Sequence, residues 1–125
     1  MQRNRHLAVE LLNNIENQIK EKEREKNMIT SKQRSYLRSL AHNIDPTVYI
    51  GKAGVTENVI KEIDQCLEAR ELVKIKLQEG AELDAKTVAN ELAPGLRAEF
   101  VQAIGRKFTL YRESKENKQI ELPRK

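Results

Sequence analysis

Two glycines, Gly51 and Gly54, enclose Lys52 and Ala53 in the part of the sequence whose residue types and spacing are best suited to chemistry. A residue without a Cβ lets a ligand approach the backbone closely and leaves the amide groups accessible. When such a loop stands before a helix, its amides and the helix dipole favour a negatively charged group. The Gly-Lys-Ala-Gly segment therefore predicts contact with a phosphate.

The loop differs from the common nucleotide-binding loops. A P-loop is longer and ends in Gly-Lys-Ser or Gly-Lys-Thr, whereas Val55 and Thr56 follow Gly54 here. The three spaced glycines of a dinucleotide-binding fingerprint are also missing. A GxxG loop is used by domains that clamp a nucleic-acid backbone, but any tight connection from a strand to a helix can also contain two glycines.

Basic residues before the loop favour the nucleic-acid interpretation. Arg34 and Arg38 are four residues apart, which places them on one stripe of a helix, and Lys32 lies in the first turn of that helix. Between residues 28 and 56, Asp45 is the only acidic residue, against four Lys and Arg residues. This segregation of charge predicts a surface that faces phosphates.

Basic residues after the loop could extend this surface. Lys74 and Lys76 alternate with apolar residues in a predicted strand, so both should point to the solvent-facing side of a sheet. Arg106 and Lys107 lie in a predicted hairpin turn, and Arg112 follows shortly after it. The alternative for these five residues is an ordinary contribution to solubility.

The residues that position these groups predict alternating helices and strands. In order, these are a helix over 31–42, a strand over 47–50, a helix capped by Thr56, a strand over 72–77, a helix that begins behind Asp84 and stops at Pro94 and Gly95, and strands over 99–104 and 108–112. Helical crossovers favour parallel pairing, whereas the short final turn forces an antiparallel pair. The order α-β-α-β-α-β-β therefore predicts a two-layer α/β domain with a mixed four-stranded sheet.

The two ends of the chain differ from this central pattern. Apolar residues at helical spacing predict a helix over 7–26, a leader that either packs loosely on the domain or docks on a partner. We place the domain boundary near residue 28, so that residues 1–27 form a helical leader and residues 28–125 the domain. Residues 113–125 are polar, and we expect them to be loosely held, with Ile120 and Leu122 as the anchors.

Composition favours a polyanionic partner over catalysis. The net charge is +4 and the sequence pI is about 9.2, whereas aromatic residues make up only 4%, which gives little support for base-specific readout. Cys66 is the only cysteine, and the histidines His6 and His42 lie far apart, so neither a metal cluster nor a nucleophile with its base is evident. We expect no enzyme activity, cofactor, small-molecule substrate or membrane contact, and a cytoplasmic location.

Several segments in the same order resemble the CRM domain (chloroplast RNA splicing and ribosome maturation), specifically its stand-alone bacterial form, the YhbY family. The similarity runs from about residue 29 to residue 123. The segments that carry it are SKQRSYLRSLAH, VYIGKAGVTENVIKEIDQCLEARELVKIKL and QAIGRKFTLYRESKENKQIELP. The leader lies outside the similarity.

The resemblance implies a fold similar to the C-terminal domain of bacterial translation initiation factor three. It also implies binding of structured RNA in precursors of the large ribosomal subunit, and hence a role in ribosome assembly. The residues that match the RNA-contacting positions of the family are Gly51, Lys52, Ala53, Gly54, Lys32, Arg34, Arg38, Lys74, Lys76, Arg106 and Lys107. The alternative function is a protein-interaction module that docks on a ribosomal protein or self-associates through the leader, although a monomer is favoured.

Overall fold

The structure is a computed structural model that describes residues 11–16 and 28–125. From residue 28 onward the elements are α1 (Ser31–Ala41), β1 (Val48–Ile50), α2 (Glu57–Arg70), β2 (Leu72–Leu77), α3 (Ala85–Gly95), β3 (Glu99–Ile104) and β4 (Lys107–Tyr111). The predicted order is confirmed, and most predicted bounds lie within one residue of the observed ones. Pro94 lies inside the last turn of α3, and this helix ends at Gly95, within the predicted stop.

Side-chain caps explain why the three helices begin where they do. Thr30 Oγ1 accepts a hydrogen bond of 3.2 Å from Gln33 N, and Gln33 Oε1 accepts one of 3.0 Å from Thr30 N. This reciprocal capping box satisfies two amides that the helix itself leaves without acceptors. Thr56 and Asp84 cap α2 and α3 through their side-chain oxygens. The caps predicted from the sequence are therefore confirmed.

The sheet has the strand order β1-β2-β4-β3. β1 and β2 are parallel, whereas β4 pairs in antiparallel fashion with both β2 and β3. The predicted mixed four-stranded sheet is thus confirmed, and β1 and β3 are its outer strands. The pairing register of β3 shifts between Phe100 and Gln102, which is a β-bulge in that outer strand.

The main core lies between one face of the sheet and the helices α2 and α3. Ile63 and Leu67 of α2 and Val88 of α3 are buried against Ile75 and Phe108 of the sheet. Cys66 is half-buried and packs against the same core. Helical spacing also assigns Ile60 to the buried side, but this residue is exposed.

Helix α1 covers part of the opposite face of the sheet, which we call the α1 face. Leu37 and Ala41 of α1 pack there with Leu72, Val101 and Tyr111. Because side chains alternate along a strand, these three sheet residues point away from the main core and need a cover of their own. The sheet therefore carries helices on both faces, and α1 adds a partial third layer to the two that the sequence predicts.

The C-terminal segment is held by Glu71, a buried residue directly after α2 with a φ of 67°. One carboxylate oxygen of Glu71 accepts hydrogen bonds from the amides of Gln119 at 2.6 Å and Ile120 at 2.7 Å, and the other accepts one from Ser114 N at 2.8 Å. The predicted anchoring by Ile120 and Leu122, which pack against the cluster under α1, is confirmed. The expectation of a loosely held end is wrong for this segment, because a buried carboxylate fixes its backbone.

Most of the predicted leader helix over 7–26 lies outside the described residues. Residues 11–16 are helical, and the side chains of Leu11, Leu12 and Ile15 are exposed. Within the described ranges, no helix combines the length and the apolar character needed to cross a membrane.

Candidate nucleic-acid interface

Side chains on the α1 face form rows across the strands, and the rows change from apolar to polar toward one end of the sheet. Under α1, the paired residues Leu72 and Tyr111 are buried. The next row on this face contains Lys74, Thr109 and Gln102, which are partners across β2, β4 and β3. The helix therefore covers the apolar row and leaves the polar rows beyond it uncovered by any helix residue of that apolar cluster.

The last row on the α1 face crosses all four strands, and we call it the end row. It consists of Tyr49, Lys76, Lys107 and Ile104, which are paired in this order from β1 to β3. Neighbouring strands lie about 5 Å apart, so Lys76 and Lys107 bring two ammonium groups to adjacent positions. Tyr49 is 48% exposed beside Lys76. The end row thus combines two cations with an accessible aromatic ring.

The loop Gly51–Gly54 follows β1 at the same end of the sheet. Gly54 N donates a hydrogen bond of 3.0 Å to Gly51 O, which closes a tight turn, and Gly54 has a φ of 74°. In the described part of the chain, the amides of Lys52 and Ala53 donate to no acceptor. These two exposed amides, rather than that of Gly54, are the backbone donors that the loop offers to a ligand.

Lys52 is exposed, but its position depends on Gly80 in the segment between β2 and α3. A Cβ added at Gly80 would come within 2.9 Å of Lys52 Cε, so the aliphatic chain of the lysine lies against this glycine. No pattern in the sequence predicted this role of Gly80, whose only signal is a glycine three residues after the end of β2. The same segment carries Glu79 and Glu82, yet Lys52 forms no ion pair with any described residue. The loop is therefore bordered by an acidic segment as well as by the end row.

The β3–β4 hairpin brings Arg106 and Lys107 to the end of β2. Arg106 O accepts a hydrogen bond of 2.8 Å from Leu77 N, while Ile50 O, just before the loop, accepts one of 2.8 Å from Gln78 N. The end of β2 therefore lies between the glycine loop and the hairpin and fixes both by backbone hydrogen bonds. Arg106 and Lys107 are exposed.

Arg34 and Arg38 of α1 lie along the outer edge of β3 and have a structural role. Arg34 Nε donates to Phe100 O at 3.1 Å, and Arg38 Nε donates to Val101 O at 3.1 Å. The acceptors are carbonyl groups at the bulge of β3. Each guanidinium still has terminal amino groups for a ligand, because only Nε is used in these bonds.

The predicted site residues fall into two groups. The loop Gly51–Gly54, Lys76, Arg106 and Lys107 converge at one end of the sheet, and Lys74 lies one row inward. Lys32, Arg34 and Arg38 lie on α1. A cleft lies between the end of this helix and the hairpin, and it is lined by His42, Lys74 and hairpin residues.

Arg112 does not extend this surface. Arg112 Nη1 forms an ion pair of 2.7 Å with Asp64 and donates to Leu96 O, so this arginine braces the opposite side of the domain. Among the described residues, no cluster of three or more His, Cys, Asp or Glu side chains that could hold a metal ion is present.

The fold and the loop define a small α/β domain with a GxxG turn beside a basic sheet face. Residues 29–112 match the CRS1 / YhbY (CRM) domain, and the chain belongs to this family.

Named relatives agree with this assignment. The chain is 51% identical over 96 residues to "Probable RNA-binding protein YqeI" of Bacillus subtilis, which covers 77% of this chain and 100% of that protein. It is 41% identical over 98 residues to a protein of Haemophilus influenzae named RNA-binding protein, covering 78% of this chain and 97% of the relative.

A solved structure has the same fold. The solution structure of the hypothetical protein SAV1595 from Staphylococcus aureus superposes with a TM-score of 0.66 at 55% sequence identity. The match covers 77% of this chain and 100% of that one. The predicted family and fold class are therefore confirmed.

Proposed function

We propose that the chain binds RNA through the glycine loop, the end row, the hairpin and the basic stripe of α1. The observation that carries this proposal is the convergence of Gly51–Gly54, Lys76, Arg106 and Lys107 at one end of the sheet, where backbone hydrogen bonds fix their positions. Two relatives carry the names "Probable RNA-binding protein YqeI" and "RNA-binding protein", and these names support the same function.

The chemistry of this surface suits a sugar-phosphate backbone. Lys52 and Ala53 present amides that have no acceptor among the described residues, and the surrounding ammonium and guanidinium groups attract phosphates and displace their counterions. Tyr49 offers a ring on which an unpaired base could stack. Phosphate contacts carry no sequence information, so this part of the surface would recognise the shape of a folded RNA.

The RNA we propose is ribosomal RNA in precursors of the large subunit, and the role is assistance in ribosome assembly in the cytoplasm, without a chemical step. This finer assignment is supported by the resemblance of the three quoted segments to the stand-alone bacterial CRM proteins. Crosslinking in cells, followed by mapping of the attached RNA, tests it. Enrichment of large-subunit precursor RNA is expected, and a random distribution over cellular RNA would contradict the ribosomal part of the proposal.

RNA binding itself is tested by the salt dependence of affinity. Each phosphate contact contributes about 0.7 to 0.9 to the slope of log affinity against log salt. Replacing Lys76 and Lys107 by Gln should reduce that slope by roughly the value of two contacts. Lys61→Gln is the matched control, because Lys61 is exposed on α2, which packs on the opposite face. Equal slopes for the double variant and the control would remove the end row from the interface.

The alternative of a protein-docking module is supported by the exposed side chains of Leu11, Leu12 and Ile15. Replacing the three residues by Ser should leave salt-dependent RNA binding intact if the leader serves only protein contacts. Loss of association with ribosomal particles in that variant, with its salt-dependent RNA binding unchanged, would favour the alternative. An apolar contact responds little to salt, so its loss would not alter the salt slope.

A further inference from the structure

A cleft of about 390 Å³ lies between the end of α1 and the β3–β4 hairpin. Its sheet side is the row Lys74, Thr109 and Gln102, and His42 and Ile104 also line it. The volume is within the range of small-molecule sites. Arg106 and Lys107 line its hairpin side, so the cleft opens directly onto the proposed RNA surface.

The floor of the cleft contains polar groups without partners. The hydroxyl of Thr109 is buried, the residue is 1% exposed, and the hydroxyl has no hydrogen-bond partner in the described structure. Its cross-strand neighbour Gln102 has a side-chain amide that forms no hydrogen bond to any described residue. Buried polar groups in folded proteins are nearly always paired. Its neighbours in the row, Lys74 and Gln102, have flexible side chains, so a ligand that displaces them would supply the missing partner of Thr109.

The unpaired groups indicate the chemistry of that partner. A hydroxyl and a primary amide each donate and accept hydrogen bonds, whereas a phosphate offers acceptors only. A site for phosphate would gain nothing from the acceptor oxygen of Gln102. The edge of a nucleobase displays donors and acceptors side by side, as these two residues do. The ring of His42 adds a surface on which an aromatic base can stack.

We propose that this cleft binds one unpaired nucleobase of the RNA, with Thr109 and Gln102 contacting its edge and His42 its face. This inference rests on the proposed RNA-binding function and adds a base-reading subsite to it. Lys74, Arg106 and Lys107 hold the flanking phosphates, so a single nucleotide leaves the backbone path and enters the cleft. Preference among the four bases then arises at Thr109 and Gln102, whereas the cations supply affinity for any sequence.

The test compares a threonine in the cleft with one outside it. Thr109→Val removes the hydroxyl in the cleft, and Thr47→Val removes another buried hydroxyl without a partner in the described structure. Thr47 lines a neighbouring cleft instead. Neither change should harm folding, because no hydrogen bond to the protein is lost. The probes are oligoribonucleotides of equal length that contain only A, C, G or U, and an abasic oligomer with the same backbone.

The full-length protein is expected to bind at least one base-bearing oligomer about tenfold more tightly than the abasic one. Thr109→Val should abolish most of that preference and leave the salt slope unchanged, while Thr47→Val should preserve it. Equal binding of abasic and base-bearing oligomers, or equal effects of the two variants, would overturn the subsite. Failure of the unmodified protein to bind a folded ribosomal RNA fragment in a salt-dependent manner would instead overturn the proposed function.

Discussion

The carboxylate of Glu71 accepts a hydrogen bond of 2.6 Å from the backbone amide of Gln119, which is 48 residues away in the chain. This contact ties the end of α2 to the C-terminal segment, and that segment packs beside α1 through Ile120. The position of the basic helix α1 on the sheet thus depends partly on an acidic residue just before β2, at the opposite end of that strand from the end row.

Replacing Glu71 by Gln should destabilise the domain by about 2 kcal/mol, because hydrogen bonds to a buried charged group are lost and an amide donor faces backbone amides. Urea unfolding measures the loss, and hydrogen exchange at Gln119 and Ile120 should become faster. Glu121→Gln is the control, since Glu121 is exposed. Equal stability of the two variants would show that the carboxylate does not hold the segment.

Acid should weaken the attachment of the same segment at Glu68. The hydroxyl of Ser114, followed by backbone amides at Glu116 and Lys115, holds the pKa of Glu68 below its ordinary value of 4.5. A lowered folded-state pKa contributes stability above 4.5 that is lost as the pH falls through that lowered value. Glu68→Gln should therefore flatten the decline of unfolding free energy at acidic pH. The same flattening in the exposed-site variant Glu62→Gln would argue against a specific contribution of Glu68.

Gly54 provides a matched pair of substitutions in the loop. Its φ of 74° disfavours most side chains, but Asn and Asp tolerate this region better than other residues, and no atom of the described residues lies within 4 Å of an added Cβ. Gly54→Asp and Gly54→Asn should each cost about 1 kcal/mol of stability. Only Gly54→Asp should weaken RNA binding further, by about tenfold, because its carboxylate repels phosphate. Equal affinities of the two variants at low salt would contradict a phosphate at the loop.

Arg38 donates a hydrogen bond to the sheet and is also part of the proposed RNA surface. Substitutions that keep or remove its charge separate these two roles. Arg38→Lys and Arg38→Gln should both lower stability by about 1 kcal/mol, because the hydrogen bond from Nε to Val101 O is lost. Arg38→Lys should retain the salt slope of RNA binding, whereas Arg38→Gln should reduce it by about 0.7 to 0.9. A parallel loss of slope in both variants would indicate that the helix position, rather than the charge, matters for binding.

Local signals in the sequence were sufficient for most of the fold. Thr56 and Asp84 begin two of the helices as predicted, since a capping side chain acts within four residues. The layer occupied by α1 could not be derived in this way. It depends on which strands are neighbours, and β4 lies between β2 and β3 only in the folded sheet.

The candidate site was predictable to a similar extent. Alternation in β2 correctly placed Lys74 and Lys76 on one face, because side chains of a strand alternate whatever its neighbours are. The sequence allowed Arg112 to extend the basic surface, with a contribution to solubility as the alternative, but this arginine pairs with Asp64, a residue 48 positions away. The role of Gly80 beneath Lys52 is also a contact between separate segments. Such contacts leave no periodic signal in the sequence.

The arginine contacts at the bulge have a consequence for crowded solutions of this protein. An outer strand with free carbonyl groups can recruit a strand from another molecule and so start an aggregate. On β3, two of those carbonyls are already occupied by Arg34 and Arg38, and β1 on the other side is only three residues long. Neither outer strand offers a long template for another strand, so the sheet is protected against side-by-side growth into larger assemblies.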